Sequence, residues 1–340
     1  MRIGITFDLK SDGLAVPGQP DDFQEEFDSP QTVEAVAEVF RRLGHQVVLL
    51  GDGPSMLRRL LDDPPDFVFN FAEGHGIGRS REARVPAVLE MLGIPFSGSD
   101  PLTLAVTLDK EAAKTLVAAA GVSVPRGRTI RRPEEVHAIP RDWFPVLLKP
   151  AWEGSSKGIR RTSLVEHPSA LPETATEMLR SYRQPILIEE FVAGEEITVG
   201  IVGNESPEIV GVMQVLPRRG DGRFIYGLEV KRDYRNQVDY ACPPRLPQPV
   251  VDRIAEAALT CYRALGCRDV SRVDFRLRNG EPVFLEVNPL PGLHPVDSDL
   301  VIMARLAGWS YDRLIGSILD AALSRQDITA PPRPCEAGRL

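Results

Sequence analysis

Two stretches near the C-terminus decide the reading of this chain: Ser271-Arg272-Val273-Asp274-Phe275-Arg276-Leu277 and Phe284-Leu285-Glu286-Val287-Asn288, joined through Arg278-Asn279-Gly280-Glu281. Both read as β-strands, and side chains alternate across a strand. Arg272 therefore shares a face with Asp274, and Glu286 shares one with Asn288. If the two strands form an antiparallel hairpin, one face gathers two carboxylates, an amide oxygen and a guanidinium. Hard oxygen ligands of this kind hold magnesium against nucleotide phosphates, and an arginine stabilises charge on a transferring phosphoryl group. By itself the same face could equally be a solvated ladder of cross-strand charge pairs.

Upstream, a strand over 145–149 ends at Lys149 and runs into Glu153-Gly154-Ser155-Ser156-Lys157-Gly158. Glycines let a backbone approach phosphate, and successive N–H groups and hydroxyls can cradle it. The run matches neither G-x-x-x-x-G-K-[ST] nor G-x-G-x-x-G, and alone it is also an ordinary turn. A third stretch, Ile186-Leu187-Ile188-Glu189-Glu190-Phe191, continues to Gly194-Glu195-Glu196. It is a strand ending in carboxylates that could bond an adenine amino group and, further on, ribose hydroxyls. A merely charged strand end would look the same.

With 340 residues, the chain exceeds one ordinary domain. Its 43% hydrophobic and 26% charged residues are globular values, and the net charge of −8 argues mildly against a nucleic-acid surface. No apolar stretch is long enough to span a bilayer, and MRIGITFDLK lacks the n-, h- and cleavage regions of a signal peptide. Cys242, Cys261, Cys267 and Cys335 have no metal-site spacing and read as reduced thiols of a cytoplasmic protein.

The N-terminal third alternates strand and helix. RIGITF is a strand, Ser29-Pro30 opens a helix with Val33, Val36, Phe40 and Leu43 on one face, and Gly44 suits its end. Strands follow at 47–50 and 66–71, with an extended segment from Gly93 to Phe96, as in a parallel α/β sheet. A helix over 109–120 opens a second part. From Ile197 the chain becomes strand-rich, interrupted by a helix whose apolar face is Val251, Ile254, Ala258, Cys261 and Leu265. The last residues, PPRPCEAGRL, read as a solvated tail.

These blocks, in this order, resemble the ATP-grasp superfamily and within it the D-alanine-D-alanine ligase family. The resemblance runs from Phe69-Asn70-Phe71 through LGIPFSGS, Leu108-Asp109-Lys110 and Lys114, then LLKPAWEGSSKGI, ILIEEFVAGEEITV, LEVKRDYRNQVDYACP and SRVDFRL, to FLEVNPLPGLHP. It implies a three-domain ATP-grasp architecture of α/β and α+β units. An N-terminal parallel-sheet domain would span 1–108, a central subdomain 109–192 and a C-terminal subdomain 193–326, with a flexible tail over 327–340. ATP would lie between the last two.

Carried over residue by residue, the resemblance implies phosphate contacts from Lys110, Lys149 and Lys231, with Ser155 and Ser156 in the phosphate loop. Adenosine would be held by Glu189, the backbone of Phe191 and Val192, and Glu196. Arg272 would stabilise the acyl-phosphate and tetrahedral species, while Asp274, Glu286 and Asn288 would hold magnesium, two ions with manganese as a substitute. The implied enzyme is a Mg-ATP-dependent carboxylate–amine ligase joining amino acids or small peptides through an acyl phosphate, and the family suggests a homodimer. The Gly-Ser loop and the segment 218–239 would be lids that exclude water.

The departures fall on the substrate side. In place of the family's N-terminal G-x-S-x-E stand Asp21 to Pro30, where Glu26, Glu25 or Asp28 could be the amine-binding acid. In place of H-G-x-x-G-E-D-G stand Ala72 to Ala83, where His75 is the candidate histidine and two arginines suit an anion or an inter-domain ion-pair network. Arg232 replaces the usual tyrosine after Lys231. Pro291-Gly292-Leu293-His294-Pro295-Val296-Asp297-Ser298 replaces the last substrate motif, leaving Gly292 and Ser298 as candidates. A ligase for another amino acid or peptide fits these changes. A non-catalytic ATP-binding module does not explain the arginine at 272, and a dinucleotide oxidoreductase lacks its glycine fingerprint.

Overall fold

The computed structural model describes residues 1–11, 18–219 and 223–329. Three sheets organise them. In the first, β1 (Arg2–Thr6) lies between β2 (Gln46–Leu49) and β3 (Phe67–Asn70), all parallel. Ile3, Ile5, Phe67 and Phe69 are almost fully buried, because helices cover a parallel sheet.

The helix Pro30–Arg42 supplies part of that cover. Ser29 caps it, accepting from the Thr32 N–H at 3.1 Å, and Val33, Val36 and Phe40 are buried against the sheet. Gly44 then takes φ +85°, a left-handed conformation that glycine adopts without penalty. Further cover in the same core comes from the far end of the chain. Leu314, Ile315, Ile318, Leu319, Ala322 and Leu323 of the helix Tyr311–Arg325 share this core.

The second sheet contains β4 (Gly127–Ile130), β5 (Val146–Pro150), β6 (Leu164–Val165) and β7 (Ile186–Glu190), antiparallel in the order β4-β7-β5-β6. The third contains β8 (Glu196–Val202), β9 (Glu208–Pro217), β10 (Val238–Ala241), β11 (Val270–Arg278) and β12 (Glu281–Asn288), antiparallel in the order β10-β9-β8-β11-β12. Ile254, Ala258, Cys261 and Tyr262 of the helix Gln248–Ala264 close one side of it.

Helix Lys110–Ala119 buries Ala113 and Val117 against this third sheet, so packing joins it to the strand-rich part rather than to the second sheet. A helix over Pro101–Leu108, capped by Asp100, was not apparent in its nearly all-apolar sequence. The segment expected to be extended at Gly93–Phe96 makes only a single bridge, Val68 to Phe96. Of the expected lid, Gly220, Asp221 and Gly222 lie outside the described residues, and the remainder includes the short helices Leu228–Arg232 and Tyr234–Gln237. The expected tail falls outside them from residue 330 onward.

The decisive hairpin forms as its sequence requires. Asn279 and Gly280 both take positive φ, 55° and 80°, which is what a two-residue turn matching strand twist demands. Arg272 then lies opposite Asn288 and Asp274 opposite Glu286. The register slips between Asp274 and Phe275, so that Phe275 faces Phe284 and Leu285 is the extra residue. This bulge keeps Phe275 and Phe284 together in the core, their ring centroids 6.2 Å apart.

Candidate active site

Two cavities meet at that hairpin. The first lies between the second and third sheets. Leu147, Ile159, Val192, Ile197, Val215 and Leu285 make an apolar slot, and Lys149, Lys231, Asp274 and Glu286 make its polar end. The second is lined by Glu26, Glu73, Glu82, Lys110, Glu153, Ser155, Arg272, Asn288 and Gly292 among others. Glu286 belongs to both walls.

The hairpin face is dense with charge. Arg272 Nη2 stands 2.9 Å from Asp274 Oδ2, and its Nη1 is 3.4 Å from Asp299. Thr198 donates its hydroxyl proton to Asp274, and the Asn288 amide lies 3.4 Å from Asp274 Oδ2. Lys110 Nζ is 3.3 Å from Glu286 Oε2. Burial would raise the Glu286 pKa, but Lys110, Lys149, Lys231 and Arg272 outweigh it and bring it down to about 2. Glu286 is thus an anion at any physiological pH. Two carboxylates and an amide oxygen on one face, at the seam of two cavities, fit a hard divalent cation by donor chemistry.

The first cavity is braced by Arg276, which was not singled out in the sequence. Its guanidinium lies 4.7 Å from the Phe191 ring centroid, donates to the Val192 carbonyl at 2.9 Å and to Glu196 Oε2 at 2.6 Å, and also bonds the Phe224 carbonyl. Phe191 spends its own N–H on the Pro145 carbonyl. Glu189 is buried between Lys149 and Lys114, and these cations outweigh burial to hold its pKa below the ordinary value. Lys114 in turn is shifted down to about 8, mainly by burial. Lys231 sits over the Tyr226 ring, 5.2 Å from its centroid.

Ser155 and Ser156 both adopt positive φ, 48° and 59°. Such conformations are unfavourable for non-glycine residues, so the surrounding contacts must hold the loop. Ser156 faces the first cavity and Ser155 the second, which puts this loop across their junction. Gly154 donates its N–H to Glu26, and a Cβ there would lie 2.9 Å from the Glu26 carboxylate.

Among Glu25, Glu26 and Asp28, Glu26 is the one that lines the second cavity. Both its oxygens are already engaged: Oε2 by Arg81 at 2.6 Å and Lys157 at 3.1 Å, Oε1 by Gly154. Burial is outweighed by Arg81 and Lys157, so its pKa lies below the ordinary value. Arg81, only 2% exposed, also donates to the Trp152 carbonyl and lies 3.4 Å from Glu153. Arg79 pairs with Asp109, so both arginines of the departing stretch build inter-segment ion pairs. The sequence signal was their presence in a glycine-rich loop; their partners, 30 residues from Arg79 and 55 from Arg81, gave none.

Three substrate-side candidates lie elsewhere. His75 is half-exposed and packs its ring on Phe27, away from the lining of either cavity. Arg232 is tied to Asp21 and Glu25 at the surface. Ser298 accepts from the His294 N–H at 2.9 Å and supports Gly292 from behind. In their place stand Glu73 and Glu82, both on the lining of the second cavity. Burial, opposed by Arg81 and reinforced by Glu26, pushes Glu82 up to about 7, and burial with Glu82 pushes Glu73 well above the carboxylate range.

A family model described as D-ala D-ala ligase C-terminus matches residues 116–320. The D-alanine--D-alanine ligase of Gluconobacter oxydans is 34% identical over 86% of this chain and 93% of its own. An uncharacterized protein of Sinorhizobium fredii is 35% identical over 86% and 87%. Among solved structures, the D-alanine--D-alanine ligase of Bacillus anthracis superposes with a TM-score of 0.71 at 24% identity, covering 96% of this chain and 99% of that one. The fold is therefore that of an ATP-grasp enzyme. Within that class, the chain belongs to the D-alanine--D-alanine ligase family and is an ATP-dependent ligase that forms an amide bond.

Proposed function

We propose that the first cavity takes ATP and that the second takes two small amino-acid or peptide substrates, one reacting through its carboxylate and the other through its amine. The observation that carries this reading is Glu286: its carboxylate forms part of both cavity walls, directly opposite Asp274 and beside Lys110. A carboxylate oxygen of the first substrate attacks the γ-phosphorus, ADP leaves, and an acyl phosphate results. The neutral amine of the second substrate attacks the acyl carbon, and phosphate leaves with the amide formed. Both steps need orientation and charge neutralisation more than a protein nucleophile.

Asp274, Glu286 and Asn288 would hold magnesium, which neutralises phosphate charge when bound. In this reading there are two ions, and manganese can replace them. Lys149 and Lys110 shift from Glu189 and Glu286, and Lys231 from the Tyr226 ring, to the phosphates as ATP enters, and Ser155 and Ser156 close over them. The Phe191 carbonyl and the Val192 N–H remain for the adenine edge, with Glu189 at the amino group and Glu196 Oε1 toward the ribose. Arg272, in the second cavity, clamps the developing oxyanion. The units 1–108, 109–192 and 193–326, a homodimer and a cytoplasmic location belong to the same proposal. Among the described residues, no helix is long and apolar enough to cross a membrane.

One feature favours substrates other than two D-alanines. Glu26 is neutralised within the protein, whereas Glu73 and Glu82 face the same cavity with their burial only partly offset by Arg81. We place the ammonium group of one substrate at this pair. An ADP-release screen over D- and L-amino acids, basic amino acids and dipeptides, with product masses, tests both parts. Release that requires an amine and a carboxylate, with a mass equal to their sum less water, supports the ligase reading. Release with D-alanine alone refutes the altered specificity, and no amide product from any pair refutes the substrate assignment.

A further inference from the structure

A second constellation stands outside both cavities. Asp8 follows β1, Asp52 precedes the helix Gly53–Asp62, and His75 lies in the loop after β3. Their ligand atoms all lie within 4.8 Å of one another. His75 Nε2 is 3.3 Å from Asp8 Oδ1 and 3.3 Å from Asp52 Oδ2, yet it makes no hydrogen bond to either.

Two details distinguish this group from a chance gathering of surface acids. Asp8 is 1% exposed; its Oδ2 accepts the Gly74 N–H at 2.7 Å, but its buried Oδ1 has no hydrogen-bond partner and points at the cluster. A buried polar atom left in that state is costly, the more so when charged. Asp52 occupies the N-cap position of its helix, where an aspartate ordinarily accepts from the first turn, and it makes no such bond. One oxygen of Asp8 is thus left without a protein donor and Asp52 makes no cap bond, and both carboxylates converge on the imidazole nitrogen.

The loop bearing His75 is held in place independently. Gly74 adopts φ +77°, and a Cβ there would meet the Arg81 carbonyl at 2.6 Å. Arg84 donates to the His75 carbonyl at 2.7 Å, and the His75 ring stands edge-on to Phe27 with centroids 4.7 Å apart. His75 is half-exposed, so solvent has access to the converging atoms. One imidazole and two carboxylates with room for water form a ligand set that suits zinc.

We propose that Asp8, Asp52 and His75 form a zinc site, separate from the hairpin face, that clamps the end of β1, the start of the helix Gly53–Asp62 and the loop leading to Glu73 and Arg81. The ligands are Asp8 Oδ1, Asp52 Oδ2 and His75 Nε2, with water completing the shell. Its role is structural: it fixes the loop whose other residues line the second cavity.

The test is calorimetric titration of the metal-stripped full chain with zinc sulfate in the absence of nucleotide, alongside His75→Ala, Asp52→Asn and Asp274→Asn. Outer-shell changes alone cost 10–100-fold in metal affinity, so loss of a ligand should weaken binding by more than ~100-fold. The expected result is one zinc per chain in the wild type and in Asp274→Asn, and binding weakened to that extent in the other two. Zinc should also raise the melting temperature of the wild type and leave that of His75→Ala unchanged. A wild type that takes up no zinc, as when the two carboxylates merely share a proton, overturns the proposal. So does uptake that survives both substitutions, or uptake that only Asp274→Asn removes. His75 and Asp52 are partly exposed, and the melting curves of the two variants without zinc report whether they fold.

Discussion

Glu286 stands directly opposite Asp274 in the ladder of β11 and β12, and of the two it alone borders both cavities. A single hairpin thus presents one carboxylate to the first cavity and another to the seam. Phosphoryl transfer needs its donor and acceptor aligned across a few ångströms, and two neighbouring rungs of one sheet provide that more rigidly than two loops would.

Asp274→Asn and Glu286→Gln should each lower the rate of substrate-dependent ADP release by about 10²–10³-fold, the usual scale for removing one preorganised electrostatic group. Each substitution also takes the anion away from a buried cation, Arg272 or Lys110, so the melting temperature should fall as well, and turnover is compared at a temperature where both variants remain folded. A variant that melts normally and retains full turnover would remove its residue from the proposed metal set.

Glu26→Gln should destabilise the protein by about 3–5 kcal/mol, because it leaves buried Arg81 and Lys157 without their shared anion. Urea unfolding measures this directly. If stability is unchanged while the Michaelis constant for the amine rises, Glu26 is a substrate ligand after all and the internal pairing is dispensable.

Gly194, between β7 and β8, takes φ +129°, and a Cβ there would lie 1.9 Å from the Leu277 carbonyl oxygen. Gly194→Ala therefore meets both backbone strain, ~1–3 kcal/mol, and a clash with main chain that cannot rotate away. We expect low soluble yield or a markedly reduced melting temperature. An alanine variant as stable as wild type would mean that this connection between the second and third sheets is looser than described.

Glu82 gives a pH signature. Its folded pKa of about 7 exceeds its ordinary 4.5, since burial, with Glu26 adding, outweighs Arg81. Below 4.5 the carboxyl is protonated in both states; between the two values the folded state binds the extra proton. Its contribution to stability is therefore lost as pH rises from about 4.5 to about 7. Glu82→Gln should show little difference from wild type at pH 4 and be more stable above pH 7, by up to about 3 kcal/mol. Parallel stability–pH curves for the two proteins would contradict this.

The local pieces are legible in the sequence. Alternation fixed the faces of Arg272, Asp274, Glu286 and Asn288, Asn279-Gly280 permitted the turn between their strands, and Ser29-Pro30 with the stripe Val33, Val36, Phe40 specified a helix. These features are legible because they depend on neighbours within a few residues, through the periods of strand and helix and the φ preferences of glycine and proline. It also carried the family resemblance, and with it the ATP-dependent chemistry.

Only the tertiary structure decided which charges meet. Glu26 with Arg81 and Lys157, Lys114 with Glu189 and the Leu285 carbonyl, and the helix Tyr311–Arg325 against β1 join residues 55 to more than 300 positions apart. A carboxylate in a sequence has no sign of its future partner. Whether Glu26 greets a substrate or is neutralised within the protein, and whether His75 faces the cavity or two aspartates, depends on desolvation and on the few ångströms between groups. Both quantities exist only after the sheets have packed.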